Sequence, residues 1–499
     1  MNKTRVDVEE EIDLSSKKDH HIKSEEFAVD ESKIEELNGV FNEDDYVDVP
    51  PDGGYGWLCC ACVTAMNFAT WGVNCGFGIF LSFYLENDVF PGATPTDYAL
   101  VGGILVFLTL ALIPYTSVLL LKFGYKITAS IGILIQLAGF LGASFSTTLV
   151  QFYITQGVLI GISYGIIFGA NSIVLPSWFL KKRALANGIS HFGVGFGGVV
   201  FTLIINKLII ETGDQKWALR IIAIISFVIC TVTMFLVKIR IPQNSQFKDQ
   251  QNLSIKKIFK NIFDLKVWKM FPLHLATLWS CIGATGYCIL LYSLSNYATS
   301  MGFSRHQAMI ITVLLNASQS IGRPLIGYLS EKFGRTNFTM FATFYTCVMS
   351  LVFWINVKSY AALIIFTLMI GLLVGISSVN VVPLVADVVG LNSFASGLGF
   401  ANTINAIMSL VAEMIALNLR DYSIPNRNPY FHCQIFVGVL YFCGFIALIP
   451  YREWKVKRML HQLKNSKKLT ENERQSFNDL LESKGFIGFL QRAFHLTII

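Results

Sequence analysis

Arg323 is the residue whose chemistry most needs explaining, because it falls inside an apolar run, 307–329, of a chain that is 53% hydrophobic. A base at mid-bilayer costs about 2.5–3.5 kcal/mol on insertion scales. Such an arginine is either functional or close enough to a helix end to snorkel to water. Facing a cavity, it would supply a fixed positive charge in a low dielectric and favour anionic or strongly polar solutes. His191 and Glu413 are the other intrahelical groups able to titrate usefully, and either could carry a proton. The bland reading of His191 is a satisfied packing histidine. Asn74, Asn171, Gln319, Asn380, Asn402 and Asn405 can hydrogen-bond an uncharged solute or bridge helices. Tyr287 and Tyr292 can stack on a planar solute or simply pack. No catalytic triad, phosphate loop or metal motif argues for an enzyme. The ten cysteines lie in or beside apolar runs, none at metal-ligand spacing with His or Asp. Cys59-Cys60-Ala61-Cys62 reads as a packing cluster. No metal and no cofactor is implied.

The elements that position these groups follow from hydropathy. Only 14% of the residues are charged, against roughly a quarter in soluble domains. A bilayer core needs about 20 apolar residues per helix, and twelve runs qualify, six within 57–237 and six within 271–450. The expected architecture is an all-α membrane protein with twelve transmembrane helices in two pseudo-symmetric six-helix bundles. The expected divisions are an acidic tail 1–56, an N-terminal bundle 57–237, a linker 238–270, a C-terminal bundle 271–450 and a basic tail 451–499.

Charge is unevenly placed. Residues 1–56 hold 17 acids and 6 bases, and the remainder 16 acids and 33 bases. The bases sit in short loops between apolar runs, so nucleic-acid binding is a poor explanation for them. With both termini in the cytosol, the loops, linker and C-terminal tail place 25 Lys/Arg inside and 6 outside, as the positive-inside rule requires. No cleavable signal peptide is visible in the polar first 56 residues. Residues 478–499 read equally as an interfacial amphipathic helix or as an unstructured tail.

The halves repeat. Gly161 and Gly165 recur as Gly371 and Gly375, and Lys122-Phe123-Gly124 as Lys332-Phe333-Gly334, each at an offset of 210. Ala186-Asn187-Gly188 recurs as Ala395-Ser396-Gly397. Such parallel duplication is the architecture of many secondary transporters. Gly157, Gly161, Gly165 and Gly169 form a smooth helical stripe, and Gly193 and Gly197 a shorter one. Each serves static packing or a surface along which helices tilt, and the repeat modestly favours tilting.

Gly327-Tyr328-Leu329-Ser330-Glu331-Lys332-Phe333-Gly334-Arg335 resembles the loop motif of the major facilitator superfamily. The turn needs glycine at Gly334, and a carboxylate at the helix end can pair with bases on an adjacent helix, latching one state shut. The alternative is a solvated cluster that only sets topology. In the first half, Leu121 stands where the acid would be, leaving Lys122, Phe123 and Gly124.

Three further stretches resemble the fungal branch of the monocarboxylate-porter family. They are Pro50-Pro51-Asp52-Gly53-Gly54-Tyr55-Gly56-Trp57, Trp178 to Gly188 with Lys181, Lys182 and Arg183, and Asp387-Val388-Val389-Gly390. Asp52 to Trp57 would turn the chain at the membrane surface, with Trp57 among the headgroups. Asp387 would pair with one of the three bases or cap a helix. The resemblance implies carrier-type transport. Proton-coupled members place a lysine in the first helix and an aspartate one turn before an arginine in the eighth. Here Arg323 is present, Gln319 stands one turn earlier, and Cys75, beside Asn74, stands at the lysine position.

The function expected is secondary-active transport of a small solute by alternating access, without proton–lactate or proton–pyruvate symport. The site would comprise Arg323, Gln319, Asn74, Cys75, Asn380 and Tyr287. The conformational set is Gly327, Glu331, Lys332, Gly334, Arg335, Lys122, Gly124, Arg183 and Asp387. One alternative is carriage of an uncharged or zwitterionic metabolite such as a vitamin. Another is a nutrient sensor without flux. The expected partners are the solute and the lipid bilayer. The expected location is the plasma membrane, with the vacuolar membrane as alternative.

Overall fold

The computed structural model describes residues 50–87, 89–90, 92–240, 255–390, 393–421, 428–464, 481–483 and 485–493. Among these, every regular element is helical. Ten helices are long and apolar enough to cross a membrane. One of them, Ile113–Phe145, is two spans in one, because Gly124 breaks it at φ 77°. Its first part continues Pro95–Ala111 through the helical Leu112. Arg305–Phe333 also spans, although its 29 residues carry buried Asn316, Gln319 and Arg323. Twelve spans result. α1 covers 55–87, with breaks at Thr70 and Gly76, α2 covers 95–123 and α3 125–145. α4 is Leu149–Trp178, α5 Arg183–Thr212 and α6 Gln215–Leu236. α7 is Phe271–Ser300 and α8 Arg305–Phe333. α9 is Arg335–Asn356 and α10 Tyr360–Val389. α11 is Phe394–Asn418 and α12 Phe431–Lys464.

Local chemistry sets the ends. α2, α4, α6, α8 and α10 begin at side-chain caps, namely Thr94, Thr148, Asp214, Ser304 and Ser359. These oxygens satisfy first-turn N–H groups that the helix leaves unpaired. At the opposite end, the α2–α3 and α8–α9 turns pass through Gly124 and Gly334, at φ 77° and 88°. A side chain is strained in that region. Apolar side chains such as Leu134, Ile224, Phe235 and Ile321 remain exposed around the rim, as lipid contact requires.

The glycines sort into two kinds of contact. A Cβ on Gly161 would lie 3.0 Å from the Leu105 carbonyl oxygen, and one on Gly169 2.8 Å from Thr116 Cβ. The α4 stripe therefore packs on α2 of its own half. Gly371 repeats this in the second half, where its Cβ would meet Ser318 of α8 at 2.7 Å. Packing within each half is thus what the 210-residue recurrence reports. Gly193 and Gly197 likewise receive α1. The surface between halves uses other glycines. Gly188, Gly195 and Gly198 of α5 meet Arg323, Ser320 and Asn316 of α8, and Gly327 of α8 meets Ala184.

Between the halves, Ile255–Ile262 forms a linker helix. The rings of Phe259 in this helix and of Phe263 just past its end lie 5.7 and 5.6 Å from Tyr115 of α2. α12 runs well past the expected end at 450, to Lys464. The C-terminal segment holds a helix, Gly485–Ala493, docked on α12. Arg492 pairs with Glu453 at 2.6 Å, and Arg452 donates to the Ala493 carbonyl.

Candidate functional site

Arg323 lies ten residues before the end of α8 at Phe333, about 15 Å along the axis. That distance and its 2% exposure exclude snorkelling. One Nη donates to the His191 carbonyl of α5 at 3.1 Å. The other donates to Tyr287 Oη of α7 at 3.1 Å and Gln319 Oε1 at 2.8 Å. Tyr287 in turn donates to Gln319 Oε1 at 3.0 Å. Gln319 is thus bound to Arg323 itself, one helical turn apart on the same face. Gly375 of α10 makes room, since a Cβ there would lie 3.1 Å from Arg323 Nε. That Nε has no hydrogen-bond partner. No carboxylate pairs with Arg323 among the described residues. Neutral acceptors offset only part of the cost of a buried charge, so the site is electrostatically incomplete.

Arg323 opens onto a cavity of about 160 Å³ between the two halves. Asn74 and Cys75 of α1, His191 of α5, and Tyr287 and Tyr292 of α7 also line it. Asn67, Trp71, Asn171, Asn187, Ser280, Asn402 and Asn405 complete most of its polar wall. Arg183 lines it too, donating from Nε to the Phe179 carbonyl at 3.2 Å. No Asp or Glu is among the described lining residues. Glu413 belongs to α11, but its side chain lies outside the described set. Asn380 is a correction. It is fully buried away from the cavity, where its Nδ2 donates to Ser330 Oγ at 2.8 Å and Thr339 Oγ1 at 2.7 Å. It ties α10 to α8 and α9. Asn171 is likewise engaged, accepting from Tyr125 Oη at 2.8 Å.

The loop motif joins the end of α8 to the start of α5. Glu331 Oε1 accepts from Ala184 N at 2.7 Å and Leu185 N at 3.2 Å. The carboxylate therefore caps the first turn of α5 across the halves, without an ion pair among the described residues, and the helix dipole favours its charge there. Arg335 donates to the Leu180 carbonyl at 3.2 Å and pairs with Asp387 at 3.1 Å. Asp387 also pairs with Lys455 of α12 at 2.7 Å, a base outside the Lys181–Arg183 run. Sequence reasoning missed Lys455 because 451–499 read as a tail. The signal was its i,i+3 spacing to Arg458, which donates to the Asp387 carbonyl at 3.0 Å. Lys122 and Lys332 are exposed and form no ion pair among the described residues.

Asp52, at φ 50°, accepts from Leu180 N and Lys182 N at 2.8 and 3.0 Å. It fixes the α4–α5 loop from which Arg335 takes its carbonyl. Gly54 follows at φ 58°, while a Cβ on Gly53 would meet only Pro51 and Trp57, near 4 Å. Trp57 packs on Phe179 with centroids 4.8 Å apart, so the entry signature is a clamp on this loop.

The family model described as Major Facilitator Superfamily matches residues 58–413. "Uncharacterized transporter ESBP6" of Saccharomyces cerevisiae is 39% identical over 85% of this chain, which spans 63% of that relative's length. "Probable transporter MCH2" of the same yeast is 33% identical over 85% of this chain and 87% of its own. Among solved structures, the human organic anion transporter MFSD10 superposes with a TM-score of 0.62 at 12% identity. That match covers 80% of this chain and all of the other. The matched helices, the duplicated halves and the loop motif agree, and the chain belongs to the Major Facilitator Superfamily of membrane transporters.

Proposed function

We propose that this protein is a secondary carrier that moves a small organic anion by alternating access, with Arg323 as the fixed cation of the binding site. The observation that carries the reading is a guanidinium 2% exposed, facing a cavity without a carboxylate among its described lining residues. A substrate anion supplies the missing charge, and Gln319, Tyr287 and the His191 carbonyl hold the guanidinium in place for it. Between binding events the halves rock about the α5–α8 seam. Both termini and the linker face the cytosol, in the plasma membrane. Proton-driven lactate or pyruvate uptake is not expected, because Gln319 and Cys75 replace the family's acid and lysine.

Flux of a labelled organic-anion panel into proteoliposomes tests this. Arg323→Lys, which keeps the charge but loses the fork, lowers flux, and Arg323→Gln lowers it further at equal reconstitution. Equal flux in wild type and Arg323→Gln removes Arg323 from the site. Transport confined to uncharged or zwitterionic solutes replaces the anion. Saturable binding without flux favours a sensor.

A further inference from the structure

Arg323 engages one end of a ligand, and the cavity makes a separate demand on the other end. Asn74 on α1 and Asn405 on α11 both line the cavity and are each 6% exposed. Each amide is held by its nitrogen. Asn74 Nδ2 donates to Tyr292 Oη at 3.3 Å, and Asn405 Nδ2 to Ser280 Oγ at 2.8 Å. In both, Oδ1 is buried without a partner. Neighbouring amides differ, since the Asn171 oxygen accepts from Tyr125. An unpartnered buried carbonyl is destabilising, so two of them on residues that line one cavity call for donors from whatever fills it.

We propose that Asn74 and Asn405 form a hydrogen-bond-accepting subsite. It selects organic anions that carry a hydroxyl or N–H group away from the anionic end over parent anions lacking one. The inference rests on the anion reading of Arg323 and deepens it. Phe168, Val194 and Leu291 supply apolar lining, suited to a short hydrocarbon or aryl body. A cavity of about 160 Å³ has room for roughly a dozen waters, which limits the ligand to metabolite size. Asn74 belongs to the first half, Asn405 and Arg323 to the second. A ligand meeting all three touches both halves, the differential contact by which a solute favours one conformation.

Binding of matched pairs to the purified full-length protein tests the proposal. The probes are phenylacetate against para-hydroxyphenylacetate, butyrate against beta-hydroxybutyrate, and naphthylacetate against indoleacetate, each beside its uncharged amide. In at least one pair the donor-bearing anion binds about tenfold tighter. That preference falls to parity in Asn405→Ala or Asn74→Ala, and Arg323→Gln removes binding of both members. Parity in every pair, or binding by none, overturns the subsite. Parity with Arg323-dependent binding overturns it while leaving the anion reading intact. A donor preference that persists for the amides and in Arg323→Gln overturns the anion reading, and with it this ligand class. A preference surviving both asparagine substitutions also overturns it. The wild-type comparison needs no variant, so a misfolded substitution does not remove the test.

Discussion

Gly195→Ala perturbs the α5–α8 seam with one methyl group. The added Cβ would sit 2.6 Å from Ser320 Oγ, 2.7 Å from Ser320 N and 2.8 Å from the Asn316 carbonyl oxygen. Two of these neighbours are backbone, so no rotamer change relieves the clash, and the helices must part by the better part of an ångström. Overpacking of this kind costs about 1–3 kcal/mol. Because the strain exists only while the seam is closed, it shifts the closed-to-open ratio by roughly 5- to 150-fold. Cys75 reports that shift. It is 5% exposed and sits across Gly198 from Asn316, at the same seam. Cys60 is the internal control. It is 1% exposed within the first half, with its Sγ 3.4 Å from the Ala186 carbonyl. Maleimide labelling followed by peptide mass spectrometry should show Cys75 reacting about 5- to 150-fold faster in Gly195→Ala, with Cys60 unchanged. Gly78→Ala, whose Cβ meets nothing within 4 Å, should change neither rate. An unaltered Cys75 rate in folded Gly195→Ala would refute the seam as a closing surface. Parallel rises at Cys75 and Cys60 would show general loosening instead.

Glu331→Gln keeps an acceptor but loses the charge facing the first turn of α5. It should weaken closure by about 1 kcal/mol, seen as faster tryptic cleavage at Lys181–Lys182; unchanged cleavage argues against the cap. Lys455→Met should lower the melting temperature, by less than the about 3–5 kcal/mol of an uncompensated buried charge because Arg335 still pairs with Asp387. Asp387→Asn in that background should cost more, since it also breaks the Arg335 pair. A tag inserted at residue 250 should be protected from external protease in intact cells, and the sequons at Asn2 and Asn252, both outside the described residues, should stay unglycosylated. Cleavage from outside reverses the proposed orientation.

The spans were legible because a bilayer imposes length and hydropathy on every crossing segment, whatever it packs against. The turns at Gly124 and Gly334 were legible because positive φ leaves a local signature. What lay between helices was not. Arg323 could be read as cavity residue or snorkeller until α5, α7 and α10 surrounded it. Asn380 and Asn405 look alike in sequence, yet one is spent on Ser330 and Thr339 while the other keeps an oxygen at the cavity. The acid of the loop motif read as half of an ion pair because only side chains carry charge in a sequence. Its partners proved to be the backbone N–H groups of Ala184 and Leu185.

The two halves agree where each packs on itself and diverge where they face each other. Gly161 on α2 and Gly371 on α8 are equivalent contacts, and both are indifferent to the state of the seam. At the loop motif the equivalence ends. Glu331 binds the first turn of α5, whereas its counterpart 210 residues earlier, Leu121, packs with Val118 against Ile262 of the linker helix. A carboxylate on helix N–H groups is directional and fails once the helices separate. An apolar contact tolerates sliding, because it depends on buried area more than on angle. One side of this end would therefore act as a latch that breaks, and the other as a contact that slips. Opening would then begin at Glu331 and α5, with α2 and the linker helix acting as the hinge side. Glu331→Leu, which copies the first-half residue, should remove that order. It should raise labelling at Cys75 without displacing Ile262 from Leu121. A cross-link engineered between Leu121 and Ile262 should leave Cys75 labelling near the wild-type rate. If that cross-link instead suppresses Cys75 labelling as strongly as a tether between Glu331 and Ala184 does, both sides must part together and the hinge assignment fails.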